Sequence, residues 1–441
     1  MSEILRDLPD GLVMRTADPG DAEELAAFNI ANHSDDPEEN PEEGLGLWSR
    51  DLLSGRHPTV SGDDVTLVVD ESAGGKIVSS CVHISQTWAC EDLEFPVGRP
   101  ELIATDPEYR RRGLVREQMN VLHDWSEERG ELVQAITGIP WYYRQFGYEM
   151  TLQLGGGRRF LWEKDGNFAK VKEEDYRLRP ATEEDVPLVA ELYAVHSATS
   201  LFRAVRDERV LAWEISGQTA DTTIDRRFGI VEDRDGEPVG YVAWRSRPPV
   251  CWIGELAVRP GNSLRAVALF LTRELRQIND EEYAGAKKKV QYLLFAGHEE
   301  HPINAALRMQ ADDYLPPYMW YMRVPDVRAF LEHLRPVLER RLHQSVMAGH
   351  SGDLKLNFYR DAFKLVFEKG RLTGVEDWQP KRLAAGDVRF ADHSFLQMLF
   401  GTRSVDDLRY ARADSYPGSW EARILIDILF PKRGSQVLAL S

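Results

Sequence analysis

Residues 102–129 have the sequence LIATDPEYRRRGLVREQMNVLHDWSEER. The apolar start predicts a β-strand that ends at Thr105, and the periodicity further on predicts a helix from about Glu117 to Arg129. A basic turn around Gly113 lies between them. This order of elements is typical of a phosphate cradle, because a helix N-terminus presents unpaired N–H groups and a partial positive charge. The alternative interpretation is a solvated basic turn.

The region before this stretch returns later in the chain. Arg15 corresponds to Arg179 and Asp21 to Asp185, and in each copy an alternating strand leads into a capped helix. A hairpin and then a Glu-Leu strand that ends in proline follow in both copies. Three landmarks in the same order predict one α/β unit that is present twice.

The length of 441 residues suggests two to four domains at about 150 residues each. After residue 325 the pattern changes, and an amphipathic helix from Val327 to Leu342 is followed by alternating strands. We therefore predict a multidomain α/β (α+β) chain. Its domains are predicted at residues 1–172, 173–324 and 325–441.

Composition excludes several classes of function. The chain has 54 Lys+Arg against 72 Asp+Glu, a formal charge of −18, which disfavours nucleic acid as the main partner. Three scattered cysteines do not form a disulfide framework or a zinc cluster, and the histidines have no metal-ligand spacing. No apolar window is long enough for a transmembrane helix, so no membrane partner and a cytoplasmic location are expected.

The basic turn resembles a known motif. Arg110-Arg111-Arg112-Gly113-Leu114-Val115 resembles the R/Q-x-x-G-x-G/A acyl-CoA pyrophosphate loop of the GNAT N-acetyltransferases, with Val115 in place of Gly or Ala. The Tyr-x-x-Phe-Gly-Tyr pattern at residues 143–148 is similar to the catalytic-tyrosine segment of that family. Tandem GNAT units followed by a sterol-carrier-protein-like domain resemble the enhanced-intracellular-survival (Eis) type. The resemblance implies that each unit is a mixed central sheet flanked by helices.

The resemblance also implies acetyl-CoA as the co-substrate, with no metal. In this fold two adjacent strands splay apart after Thr105, so that backbone N–H groups there polarise the thioester carbonyl. The second copy has Gly261-Asn262-Ser263 where the basic loop is due, so one active site per chain is expected. The predicted cofactor-binding residues are Ile103, Ala104, Thr105, Arg110, Arg111, Arg112, Gly113, Leu114, Val115 and Arg116.

Two catalytic roles follow from the resemblance. Tyr143 corresponds to the general acid that protonates the departing thiolate, with Tyr142 or simple aromatic packing as alternatives. The terminal carboxylate of Ser441 corresponds to the base of the Eis type. Glu101 is an alternative base that acts through water, although its counterpart Glu255, in the copy without the loop, favours a structural role for both.

The acceptor is expected to be a small-molecule amine, aminoglycoside- or polyamine-like. The acidic segment 33–43 would attract such a cation, unless it is only a solvated loop. Trp48, Trp88 and Trp141 are candidates for the pocket lining. Two other functions remain open, a non-catalytic acyl-CoA or lipid-binding protein and a protein or peptide lysine acetyltransferase. The resemblance further implies a homo-oligomer, a hexamer of paired trimers.

Overall fold

The structure is a computed structural model of the chain, and it describes residues 2–161, 175–308 and 313–439. Three mixed sheets flanked by helices are found in these ranges. The α/β (α+β) class predicted from the sequence is therefore confirmed.

The described residues contain strands in all parts of the chain, and the last two of them are only two residues long. In chain order they are β1 (Ile4–Leu8), β2 (Leu12–Thr16), β3 (Val65–Asp70), β4 (Lys76–Cys90), β5 (Leu93–Thr105), β6 (Val133–Ile136), β7 (Glu149–Leu154), β8 (Gly157–Leu161), β9 (Tyr176–Pro180), β10 (Phe202–Val205), β11 (Arg227–Asp233), β12 (Pro238–Arg247), β13 (Val250–Val258), β14 (Tyr292–Ala296), β15 (Asp313–Leu315), β16 (Tyr318–Arg323), β17 (Gly352–Asn357), β18 (Ala362–Glu368), β19 (Arg371–Asp377), β20 (Val388–Arg389) and β21 (Tyr416–Pro417).

The helices cover the faces of these sheets. They are α1 (Ala22–His33), α2 (Glu43–Leu53), α3 (Leu114–Glu128), α4 (Val186–Ser197), α5 (Glu208–Ala212), α6 (Leu264–Glu282), α7 (Pro302–Ala306), α8 (Val327–His333), α9 (Arg335–His343), α10 (Ser394–Leu399), α11 (Val405–Ala411) and α12 (Trp420–Leu429).

The first two sheets exchange strands. The first sheet has the order β1-β2-β3-β4-β5-β6-β16-β7, with β10 paired to β4, and the second has the order β15-β8-β14-β13-β12-β11-β9. Strand β8 thus lies in the second sheet, whereas β10 and β16 lie in the first. The boundary predicted near residue 172 falls outside the described residues, and the predicted domain limits stay a prediction. The exchange ties the two repeated units together.

The repeat appears as the same local structure twice. The guanidinium of Arg15 donates two hydrogen bonds to Asp21, both of 2.7 Å, and Arg179 donates two to Asp185, of 2.7 and 2.8 Å. In each copy the aspartate also completes a capping box before the helix. A bidentate ion pair fixes the angle between strand and helix in each copy.

The third sheet has the order β19-β18-β17-β20-β21. The single helix predicted from Val327 to Leu342 is wrong in one respect, because the structure breaks it at Leu334 into α8 and α9. Pro336 has no N–H to donate back along the helix. The N–H of Val337 instead bonds to the carbonyl of Leu334 at 2.9 Å, a tighter turn that redirects the chain.

One hydrophobic core joins the first sheet to the C-terminal part of the chain. Trp88 and Phe95 of the first sheet pack edge to face against Trp320 and Phe330, with ring centroids 5.5 and 5.1 Å apart. All four side chains are buried in the same cluster. Such aromatic pairs contribute about 0.5–1.5 kcal/mol each beyond their burial. The C-terminal part therefore supports the strands that form the site described next.

Candidate active site

Strands β5 and β6 separate and leave an open edge. Their parallel ladder pairs only Val97 with Val133 and Gly98 with Gln134, whereas β5 continues to Thr105. The separation therefore begins after Gly98, earlier than the sequence predicted. A bulge opposite β4, with Leu102 at a φ of 49°, bends the end of β5. The backbone groups on this edge of β5 are not part of the ladder to β6.

The basic loop and the start of α3 face this edge. Gly113 is the N-cap residue of α3 with a φ of 81°, and Arg111 has a φ of 66°. The left-handed region suits glycine, and the two residues curl the loop so that the first N–H groups of α3 are available to an anion. The helix begins at Leu114, a few residues before the predicted Glu117.

We call the space between this loop and β5 the cofactor cleft. It has a volume of about 550 Å³. It is lined by Ile103, Ala104, Thr105, Arg110, Arg111, Gly113, Leu114, Val115 and Arg116, together with Asn32, Tyr109, Ile139, Tyr142, Tyr143, Gln145 and Phe146. The structure thus brings most of the predicted cofactor residues to one cleft. Asn32 comes from α1, and no signal in the sequence linked it to the loop.

The arginines of the loop point in different directions. Arg110 donates to the Thr105 carbonyl at 3.2 Å, which holds it beside the cleft. The guanidinium of Arg112 instead lies over the ring of Tyr109, 4.7 Å from its centroid, and 3.8 Å from Asp10. Arg112 does not line the cofactor cleft, so this placement gives no support to its predicted role.

Arg116 reaches across the cleft to the segment that carries the predicted general acid. Its Nη2 donates to Gln145 Oε1 at 2.9 Å, and its guanidinium lies 5.2 Å from the centroid of Phe146. This contact joins the start of α3 to the segment around Gln145 and Phe146, and all three residues line the cleft.

Tyr143 is buried at the inner end of the cleft. Its ring packs in one cluster with Ile103 and Val115, two of the predicted cofactor residues. Burial raises the pKa of Tyr143 far above its ordinary value, and the nearby Cys81 and Glu101 add to the effect. Its phenol therefore stays protonated at neutral pH, and among the described residues its hydroxyl has no hydrogen-bond partner.

Strand β16 fixes the segment around Tyr143. The Trp141 N–H donates to the hydroxyl of Tyr321 at 2.5 Å, and the hydroxyl of Tyr318 donates to the Gly138 carbonyl at 3.0 Å. These tyrosines lie far along the chain from Tyr143, and sequence reasoning did not connect them with the site. Only the insertion of β16 between β6 and β7 brings them together.

A second cavity is lined by Glu101, two residues before Ile103 of the cofactor cleft on β5, and we call it the acceptor pocket after the role proposed for it below. Its volume is about 350 Å³. It is lined by Trp48, Glu101, Thr137, Leu154, Gly155, Thr223, Ile224, Arg226, Arg245, Trp252, Leu438 and Ala439. Both repeated units and the C-terminal tail thus form its wall. Of the three candidate tryptophans, Trp48 lies in this wall, Trp88 is in the core and Trp141 is 71% exposed.

Glu101 lines the acceptor pocket and lies near Tyr143 of the cofactor cleft. Its carboxylate accepts from Arg99 Nη2 at 2.6 Å and from the Thr137 hydroxyl at 3.3 Å to each oxygen. It lines the acceptor pocket and also lies close enough to Tyr143 to affect its pKa. Ser441, the other predicted base, lies outside the described residues.

The counterpart Glu255 is enclosed in a buried ion cluster. It accepts from Arg206 at 2.8 Å, from Arg226 at 2.6 Å and from the Tyr241 hydroxyl at 2.7 Å. Glu214 completes the cluster by accepting from both arginines. Burial alone would raise the pKa of Glu255, but the two arginines hold it far below its ordinary value. Glu255 is thus committed to this cluster, whereas Glu101 faces a cavity.

The described ranges contain neither a membrane-spanning helix nor a cluster of metal-binding side chains. No helix there is long and apolar enough to cross a membrane. In the same ranges no group of three or more His, Cys, Asp or Glu side chains is arranged to hold a metal ion.

Comparison with known proteins agrees with this geometry. Residues 21–151 match the family described as an acetyltransferase (GNAT) domain. The chain matches no curated protein. Its fold is similar to that of a conserved Enterococcus faecalis protein of unknown function, a probable N-acyltransferase, with a TM-score of 0.65, 16% identity and coverage of 96% of this chain and 97% of the other.

Two further solved structures share the whole fold. A GCN5-related N-acetyltransferase from Anabaena variabilis has a TM-score of 0.67 and 12% identity over 97% of this chain and 99% of the other. Eis1 from Mycobacterium abscessus has a TM-score of 0.59 and 13% identity over 99% and 98%. Residues 21–151 are thus similar to the acetyltransferase domain of the GNAT family, and the chain as a whole shares its fold with Eis1.

Proposed function

We propose that this protein transfers an acetyl group from acetyl-CoA directly to the amine of a small molecule. The observation that carries the proposal is that Glu101 and Tyr143, which lie close together, line two different cavities. Tyr143 lines the cofactor cleft, and Glu101 lines the acceptor pocket. Ile103, two residues after Glu101 on β5, contacts the same cluster as Tyr143. A donor and an acceptor in the two cavities would therefore meet beside one acid and one carboxylate.

The cofactor cleft fits an acyl-CoA. The first N–H groups of α3 and the guanidinium of Arg111 would hold the pyrophosphate, and the open edge of β5 would bond the pantetheine. When bound, acetyl-CoA supplies the thioester carbonyl carbon that the amine attacks. Backbone N–H groups between Ile103 and Thr105 would donate to the carbonyl oxygen, where negative charge develops.

Tyr143 is the proposed general acid. Its phenol is protonated at neutral pH, as any tyrosine is, and it lines the cofactor cleft, where it can donate this proton to the departing sulfur. Tyr142 is half-buried and also lines the cleft, so it is the control for this assignment.

The base is proposed to act from the side of the acceptor pocket. Glu101 lines that pocket and can accept the amine proton through a water molecule. Leu438 and Ala439 line it as well, so the tail that leads to Ser441 reaches the same place. The role of the Ser441 carboxylate stays a prediction.

Small-molecule acceptors are favoured over protein substrates. A cavity of about 350 Å³ walled by both units and the tail suits a small ligand. The acidic segment 33–43 ends beside the wall of this pocket, because the N–H of the lining residue Thr223 donates to the carbonyl of Gly44, the next residue after the segment, at 3.1 Å. This proximity supports an amine-bearing, cationic acceptor drawn from solution. A homo-oligomer, hexameric by resemblance, is part of the same proposal.

The test joins acetyl-CoA binding with turnover. We expect calorimetry to show acetyl-CoA binding by the wild type and its loss in Gly113→Asp, which puts a carboxylate at the N-terminus of α3. The matched control is Gly261→Asp, at a glycine of similar φ, 93°, in the corresponding loop of the second unit. Absence of acetyl-CoA binding by the wild type overturns the proposal.

Tyr143→Phe separates the enzyme from a non-catalytic acyl-CoA-binding protein. We expect kcat to fall by about 10²-fold or more with acetyl-CoA affinity unchanged, and Tyr142→Phe to keep most of the activity. Thiol release from acetyl-CoA measures this. Equal activity of both variants would contradict the role of Tyr143.

A further inference from the structure

Among the residues that the structure describes, one positive charge in the lining of the acceptor pocket has no carboxylate in ion-pair contact. Its charged lining consists of Glu101, Arg226 and Arg245. Glu101 is paired with Arg99, and Arg226 belongs to the buried cluster of two arginines and two glutamates. Of the three charged side chains in the lining, only Arg245 is in no ion pair with another described residue.

Arg245 lies on β12 and is half-buried. Its Nη1 donates to the Thr223 carbonyl, and its guanidinium lies 5.6 Å from the ring centroid of Trp252. Within the described residues, no carboxylate comes within 4 Å of it, and Nε and Nη2 have no hydrogen-bond partner. Nε and Nη2 form the edge that binds a carboxylate bidentately.

The surroundings of Arg245 make this arrangement costly for the protein alone. Burial and, to a smaller extent, the like charges of Arg247 and Arg226 lower the pKa of Arg245 to about 10, although Asp225 opposes them. The group is still charged at neutral pH. A desolvated cation without a counter-ion is unfavourable, and an anionic ligand relieves that cost.

We propose that the acceptor carries a carboxylate as well as its amine, and that Arg245 binds this carboxylate. The inference rests on the proposed acetyl transfer and names the substrate class, an amino acid or an amino-acid-like molecule. The side chains of Trp48 and Trp252 offer apolar walls for its body. The amine is then directed towards Glu101 and the cofactor cleft.

A purely cationic acceptor fits this pocket less well. A polyamine would place further positive charge beside Arg245, which repels it. The acidic segment 33–43 still attracts the amine of a zwitterion from outside. The acidic segment outside the pocket would attract an amine, and Arg245 inside it would bind a carboxylate. Together they would select molecules that carry both an amine and a carboxylate.

The experiment uses pairs of amines that differ only in a carboxylate. The pairs are lysine and cadaverine, tryptophan and tryptamine, and phenylalanine and phenethylamine, assayed by thiol release from acetyl-CoA. We expect at least one amino acid to be acetylated with a kcat/KM about tenfold or more above its decarboxylated partner. Equal values, or a preference for the decarboxylated amines, would overturn the inference.

The variant Arg245→Gln tests the residue itself. We expect it to raise KM for the preferred amino acid about tenfold, to leave the decarboxylated partner nearly unchanged, and to leave acetyl-CoA affinity unchanged. Arg177→Gln is the matched control, because it removes the same charge from the same sheet, at an exposed position on β9 that does not line the pocket. An unchanged KM in Arg245→Gln overturns the inference.

Failure of this inference differs from failure of the proposed function. If acetyl-CoA does not bind, the acetyltransferase proposal falls and this inference falls with it. If acetyl-CoA binds and none of the six compounds is acetylated, or the pairs show no preference, only the inference falls.

Discussion

The ring of Tyr143 packs against Gly138 and occupies the space that a side chain at Gly138 would need. A Cβ at Gly138 would come within 2.0 Å of Cδ2 and Cε2 of that ring. The Gly138 carbonyl also accepts the hydroxyl of Tyr318 at 3.0 Å. Gly138 is therefore required by close approach, and it sets the position of the proposed general acid.

Gly138→Ala should displace Tyr143 while leaving the loop of the cofactor cleft intact. We expect kcat to fall by about tenfold or more, since small misplacements of a catalytic group are costly, with little change in acetyl-CoA affinity. Steady-state thiol release and calorimetry measure the two effects. Gly285→Ala is the control, because no atom lies within 4 Å of a Cβ there. Undiminished kcat in Gly138→Ala would show that the position of the ring does not matter.

Arg111 and Arg112 are neighbours in sequence with different surroundings. Arg111 lines the cofactor cleft, whereas Arg112 stacks on Tyr109. We expect Arg111→Ala to weaken acetyl-CoA binding by about tenfold, the value of one charge-assisted contact, and Arg112→Ala to change it by less than about threefold. Calorimetric Kd values decide between them. Equal losses would mean that both arginines reach the ligand.

The buried cluster around Glu255 should be essential for stability. Glu255→Gln leaves the charges of Arg206 and Arg226 opposed only by Glu214, so we expect a loss of about 3 kcal/mol or more in the free energy of unfolding. Glu191→Gln, at an exposed ion pair with Arg259, should cost less than about 1 kcal/mol. Urea denaturation compares the two. A small loss in Glu255→Gln would contradict the structural role.

Buried histidines should make the protein sensitive to acid. Burial lowers the pKa of His298 to about 4, of His57 to about 4 and of His123 to about 3. A histidine whose pKa is lower in the folded state stabilises the folded protein. This contribution is complete at pH values above the histidine's unfolded pKa of about 6.5. That contribution is lost as the pH falls from there towards the folded value. We expect Tm to decrease steadily between about pH 6.5 and 4.

Removal of one such histidine should flatten the decrease. In His298→Leu the free energy of unfolding should depend on pH less steeply, by up to about 1.4 kcal/mol per pH unit below pH 6.5. Denaturation at several pH values measures the slope. His343→Leu, at an exposed position, is the control. An identical slope in His298→Leu and wild type would exclude His298 as a source of the acid sensitivity.

The sequence predicted the parts of the site that are contiguous in the chain. The strand before Thr105, the turn at Gly113 and the helix after it follow from local periodicity and from the conformational freedom of glycine. The repeat was visible because the same residue types recur in the same order at Arg15 and Asp21 and at Arg179 and Asp185. The structure shows that each pair forms the same local ion pair. The break at Leu334 was missed, although Pro336 was there to indicate it.

By itself, the sequence determined which elements form and that a basic glycine loop precedes α3, because these depend on neighbours a few residues apart. Only the tertiary structure decided which side chains share a cavity. The insertion of β16 brings Tyr321 to Trp141, and the packing of two units places Arg245 in one pocket with Glu101. Such contacts join residues far apart in the chain and depend on strand order and side-chain direction, which local patterns do not encode. The direction of the Arg112 side chain also depends on the tertiary structure, which places its guanidinium over the ring of Tyr109, and its predicted role in cofactor binding stays a prediction.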